Sequence, residues 1–286
     1  MFRRGTWDTM VTLTIGCAGW SYSDWLGPFY PRGTPSGKFL AQYARVFDFT
    51  EVNSSFYNIP RPQMVQAWDA ATPANFQFAV KVWKGITHQK KVDAVGERVV
   101  EFFAALMPLE AKIACYLFQF PPWFHATAAH IEYVETILAA VPREARCVLE
   151  LRHNSWFADP ALARVVDGTR TVLGTTYLDG VDPTYWPDQQ VYYIRLVGNR
   201  DLSTFDRVQR TQGAMSAHLT ENVDALRTKR DLTQIFIVYN NHFQGFAPRD
   251  ANALKVQLGL PHTPFSAITH QRTLVDFVRR DAPPEP

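Results

Sequence analysis

Two short stretches concentrate residues able to do chemistry. "FTEVNSSFYNIP" (49–60) sets Glu51 on an apolar run that breaks at once into Asn53, two serines, Phe56 and Tyr57. "CVLELRHNSWF" (147–157) closes a similar run with Glu150, Arg152, His153 and Trp156. Carboxylates are seldom buried without a partner or a task. A converging pair can act as acid and base or hold a divalent ion. Each glutamate could equally pair with a strand-end cation such as Lys81, Arg152 or Arg195. Alternation along a strand places Glu150 and Arg152 on one face, with Cys147, Leu149 and Leu151 on the other.

A third stretch, "KVWKGITHQKK" (81–91), holds four lysines and a histidine around Trp83. Lys81 ends an apolar run, so it is expected at the site, and Arg152, Arg195 and Arg200 would join it as a phosphate-binding rim. With a net charge of only +2, such a patch would focus an anion locally. The aromatic run Trp20, Tyr22, Trp25, Phe29 and Tyr30 either packs on itself or offers stacking faces to a sugar or base. There is no H-E-x-x-H and no tight His/Asp cluster. His88, His153 and His242 come from separate segments, so a divalent metal is left open without being favoured, and no metal ligands are assigned.

These residues need elements to position them. Strands are predicted at 12–17, 48–52, 76–81, 112–118, 146–151, 171–176, 191–197 and 235–240. Helical spacing falls at 36–46, 61–71, 93–107, 128–140, 159–166, 213–229 and 248–258. Many strands are apolar on both faces, as in a parallel sheet covered by helices. Eight alternating units predict an α/β fold, a single closed (β/α)8 TIM barrel. The sixth connection, 177–190, carries Pro183 and Pro187 and little helical pattern. An open doubly wound sheet is the competing architecture, but "GCAGWSYSDW" is not its G-x-G-x-x-G turn.

Barrel sites lie at the C-terminal ends of the strands. The first strand end supplies Trp20 and Tyr22, the second Glu51, Asn53 and Tyr57, the third Lys81 and the fourth Gln119. From the fifth come Glu150, Arg152, His153 and Trp156, from the seventh Arg195, and from the eighth Asn240. Of the 286 residues, 47% are hydrophobic and 14% aromatic, enough for a large core. Cys17, Cys115 and Cys147 sit in apolar runs and read as buried free thiols in a reducing compartment. No run is long enough to span a bilayer, and 1–10 lack a signal-peptide core. The expected organisation is an N-terminal extension (1–11), a barrel domain (12–280) and a proline-rich tail (281–286), in the cytoplasm. Met10 is an alternative start to Met1.

The blocks "GCAGWSYSDWLGPFYP", "TEVNSSFYNIP", "FQFAVKVWKGITH", "LFQFPPWF", "LELRHNSW", "YIRLVG" and "YNNHFQGFAPRDA" together resemble the YecE-like family of domains of unknown function. They appear in family order across roughly 14–258. The resemblance implies a single TIM barrel and no established activity. Some relatives resemble endonuclease-IV-type barrels in shape, which implies nucleic-acid or phosphoester work by analogy alone. Carried over by position, the family's blocks land on Trp20, Glu51, Asn53, Phe56, Tyr57, Lys81, Gln119, Pro121, Glu150, Arg152, His153, Trp156, Arg195 and Asn240. This chain departs at Val197, where the family has histidine, and at Asn241–His242, where it has Asn-Asp. Both changes weaken a metal site.

The expectation is therefore an enzyme acting on an anionic substrate, a small phosphorylated molecule or a single-stranded nucleic acid, by acid/base or metal-assisted chemistry. Glu51, Glu150 and Lys81 are the catalytic candidates. Trp20, Tyr22, Asn53, Tyr57, Gln119, Arg152, His153, Trp156, Arg195 and Asn240 are the binding candidates. A phosphoester hydrolase, a sugar-phosphate isomerase or epimerase, and a non-catalytic nucleic-acid binder are the alternatives. No membrane role is expected, and the cofactor is unknown.

Overall fold

The structure, a computed structural model, describes residues 11–89, 94–158, 160 and 162–266. Both possible starts, Lys90, Lys91 and the tail lie outside the described residues. Eight strands follow one another in a closed parallel barrel: β1 Thr12–Ala18, β2 Phe49–Val52, β3 Gln77–Lys81, β4 Ile113–Gln119, β5 Cys147–Glu150, β6 Thr171–Tyr177, β7 Val191–Leu196 and β8 Gln234–Tyr239. Every neighbouring pair is parallel, and β8 closes on β1 through a six-residue register from Thr12–Gln234 to Cys17–Tyr239. The open-sheet alternative is excluded.

Around the barrel lie α1 Phe39–Tyr43, α2 Pro62–Ala70, α3 Lys84–Thr87, α4 Val95–Leu106, α5 Ala128–Ala140, α6 Ser155–Ala158, α7 Leu162–Val165, α8 Gly213–Leu226 and α9 Ala247–Gln257. Helix α4 shows why: Val95, Val99, Phe102, Phe103 and Leu106 recur every three to four residues and form its buried stripe. Prolines at the first turns of α2 and α9 occupy positions whose N–H has no intrahelical partner. The short helices α3 and α6 are too brief to show a period. As its prolines foretold, 178–190 contains no helix and carries only a Leu178–Val181 bridge.

Strand alternation sorts the apolar side chains into two cores. Phe49, Ala79, Cys115, Leu117, Val148, Val172, Tyr193 and Phe236 fill the barrel interior. Cys147, Leu149 and Leu151 join the larger core under the helices. All three cysteines are buried free thiols. Gly16 allows β1 to approach β2, since a Cβ there would lie 2.2 Å from Phe49 O. Among the described residues no helix is long and apolar enough to cross a membrane.

Candidate active site at the barrel mouth

Interior-facing positions at the strand exits are polar. Glu51 on β2, Lys81 ending β3, Gln119 ending β4, Glu150 ending β5 and Arg195 on β7 are all buried at the C-terminal end. Each continues the alternation of an apolar interior residue two positions earlier: Phe49, Ala79, Leu117, Val148 and Tyr193. Polar groups at this depth must find partners.

Arg195 finds two. Its Nε donates to Glu51 Oε2 at 2.8 Å and its Nη2 to Glu51 Oε1 at 2.7 Å. The remaining arm, Nη1, donates to Glu150 Oε2. Arg152 Nε reaches Glu150 Oε1 at 2.6 Å, with Nη2 2.5 Å from the same oxygen. Tyr193 Oη donates to Glu51 Oε2 at 2.8 Å. Every carboxylate oxygen of the two glutamates is thus engaged by a guanidinium or a phenol. Charge-assisted bonds of this kind offset the desolvation of buried ions.

The ionisation states follow. Burial alone would raise the Glu150 carboxyl, but Arg152, Arg195 and Lys81 outweigh it and hold it down at about 2. Arg195 would be lowered by burial, yet Glu150 and Glu51 push it above its ordinary range. Burial, then Glu51, raises the Tyr193 phenol. This pairing favours the ionised form of Glu150, with both of its oxygens accepting from arginine.

Lys81 differs. It is 7% exposed, and among the described residues Nζ has no hydrogen bond or ion pair. It sits 4.1 Å from the centroid of the Phe56 ring. Burial, together with the repulsion of Arg195, brings its ammonium down to about 7, against the weaker pull of Glu150 and Glu51. Phe56 also meets the His88 ring edge-on at 4.9 Å. Burial and then Lys81 depress His88 to about 4, so it stays neutral at pH 7. Arg200, at φ +62, is exposed beyond β7. Burial, Arg152 and Arg195 lower it, and among the described residues no ion pair holds it.

The other candidates are placed variously. Gln119 Nε2 donates to Phe120 O at 2.9 Å and lies 3.4 Å from His88 Nε2. Trp20, Tyr22 and Asn53 border a cleft of about 190 Å³ with Gly19, Ser21 and Ser54. Tyr22 Oη is tied to Ala18 O at 2.8 Å. Tyr57 is 60% exposed, with Lys84 Nζ 5.6 Å from its ring. Trp156 is fully buried, donates to Phe124 O at 2.7 Å and stacks on Phe124, within the core under the helices. His153 stacks on His125 at 3.7 Å and bonds Ser155 Oγ, away from any contact with the glutamates. Asn240 Oδ1 accepts from His242 N at 3.0 Å, capping the turn after β8.

Tyr193 was missed, although its place two residues before Arg195 put it on the same face. No group of three or more His, Cys, Asp and Glu among the described residues is arranged to hold a metal ion.

Comparison with known proteins agrees with this architecture. The profile of the family described as "Protein of unknown function DUF72" matches residues 14–274. The chain is 36% identical over 157 residues to the UPF0759 protein YunF of Bacillus subtilis, covering 52% of this chain and 53% of YunF. It is 31% identical over 146 residues to the UPF0759 protein YecE of Escherichia coli K12, covering 51% and 50%. These matches span about half the length of the curated relatives. A DUF72 family protein from Thermotoga maritima superposes with a TM-score of 0.72 at 24% identity, over 87% of this chain and 99% of that one. One from Enterococcus faecalis gives 0.70 at 21%, over 88% and 97%. At those identities the likeness is one of fold.

Proposed function

We propose, for a chain that belongs to the DUF72 family of proteins of unknown function, the role of an enzyme that binds a small anionic substrate at the C-terminal mouth of its barrel. Glu51, Arg195, Glu150 and Arg152 form the rigid floor of that site, and Lys81 is the group that exchanges protons. One observation carries the reading. Lys81, Arg152, Arg195 and, from the exposed rim, Arg200 outnumber the two carboxylates Glu51 and Glu150, whose oxygens are already taken by arginine and tyrosine. Lys81 and Arg200 are left without a counter-ion among the described residues, and an anion would supply it. A phosphoryl or carboxylate group fits that demand.

The test is titration with inorganic phosphate at low and high salt. The wild type should bind, more weakly as salt rises. Lys81→Ala/Arg200→Ala should lose ten-fold or more in affinity, about 1.4 kcal/mol. Equal binding by the double variant removes the anion site. A second reading, single-stranded nucleic acid, rests on the exposed Tyr57 ring beside Lys84. It requires that a short oligonucleotide bind with a steep salt dependence and that Tyr57→Ala weaken it.

A further inference from the structure

We propose that Lys81 is a nucleophilic amine that forms an imine with the carbonyl carbon of an anionic aldehyde or ketone, such as a 2-oxo acid or an open-chain sugar phosphate. The inference rests on the anion-site reading above and names its substrate class. Its basis is the position of Nζ. The amine stands at the barrel mouth against the Phe56 face, 4.1 Å from the ring centroid, and nothing among the described residues hydrogen-bonds it. A structural lysine at this depth would pair with Glu51 or Glu150. Both are consumed by Arg195, Arg152 and Tyr193, so the amine is unpaired while cations surround it. Arg200, without an ion pair among the described residues, would take up the carboxylate or phosphate of a substrate whose carbonyl meets the amine. Depression of its ammonium to about 7 leaves a large share as free amine at neutral pH, against roughly one in 2,500 for an ordinary lysine. Buried, desolvated lysines of this kind serve in Schiff-base chemistry.

The step balances. The Nζ lone pair attacks the carbonyl carbon, and the C=O π pair moves to oxygen, which takes a proton from water while the now positively charged nitrogen gives one up to the hydroxide so formed. The resulting carbinolamine loses its hydroxyl as water with a proton from solvent, leaving a protonated C=N. One water is released, and no oxidant or reductant is used.

The test is reductive trapping with glyoxylate, the smallest anionic aldehyde, and cyanoborohydride, followed by peptide mapping. At pH 7 Lys81 should be carboxymethylated at least ten-fold faster than exposed Lys84, and inorganic phosphate should slow it. Its rate should level off above about pH 8, where an ordinary lysine is still rising toward its value of about 10.4. Lys81→Arg should leave no fast site while still binding phosphate. Labelling of Lys81 no faster than Lys84, in a wild type that binds phosphate, overturns the imine and leaves the anion site standing. Fast labelling that phosphate does not slow supports the imine and removes the anion site.

Discussion

Lys81 is an amine whose charge the folded protein opposes. Its folded value of about 7 lies below the ordinary 10.5, so between those limits the unfolded chain binds more protons. Stability therefore rises with pH from 7 to 10.5, and below 7 the full penalty is present. Lys81→Met removes the penalty while keeping the stem that packs on Phe56. We expect the variant to be more stable than wild type at pH 7, on the order of 1–4 kcal/mol, with the gain shrinking toward pH 10. Urea unfolding at pH 6, 8 and 10 measures this. A variant less stable than wild type at pH 7 would mean that the mouth favours the ammonium.

At the scale of elements, the barrel repairs its own weak places with side chains. Main-chain pairing of β6 with β7 begins at Gly174–Tyr193. Before that pair, Gln189 takes over the ladder: its Oε1 accepts from Leu173 N at 2.5 Å and its Nε2 donates to Leu173 O at 3.2 Å. The helix-free segment 178–190 is held against β6 in this way. Tyr43 does similar work at the β1–β2 junction, where its hydroxyl accepts from Cys17 N and donates to Phe49 O. Gln189→Ala should cost about 1–3 kcal/mol, because both Leu173 groups are left unsatisfied in the interior. Amide exchange at Leu173 should accelerate well beyond that of β1. Unchanged exchange there would remove the bridging role.

The whole molecule is tied together across its axis. The chain Glu51–Arg195–Glu150 joins β2, β7 and β5, which do not neighbour one another. Glu150 is held at about 2, below its ordinary 4.5, so the folded state binds fewer protons than the unfolded chain between those values. Its contribution, roughly 3 kcal/mol, is present above pH 4.5 and lost as pH falls toward 2. Wild type should weaken steeply across that window. Glu150→Gln should be about 3–5 kcal/mol less stable at pH 7, since Arg152 and Arg195 lose their charge partner, and its acid dependence should be shallower. Denaturant midpoints from pH 7 to 3 decide it; matching slopes would show that the pair contributes nothing to acid sensitivity.

The amino-acid sequence by itself determined the barrel and the positions from which the site is built. Apolar runs of strand length alternating with helical periods are local signals, and burial on both faces leaves a parallel closed sheet as their outcome. Glu51, Lys81, Glu150 and Arg195 were legible as polar residues on otherwise apolar interior faces, because the period of two makes a misplaced charge visible. Which of them would be neutralised was not legible. Only closure of the barrel sets Arg195 between Glu51 and Glu150, 144 and 45 residues away in sequence, and adds Tyr193. That choice engaged every oxygen of both carboxylates and, among the described residues, left the Lys81 amine with the Phe56 ring and no hydrogen-bond partner. Trp156 and Asn240 show the converse: a residue type at a strand exit does not say whether the following loop turns it toward the axis or into the packing of its neighbours. Partner choice among converging charges depends on distances across the barrel, and no local pattern carries those.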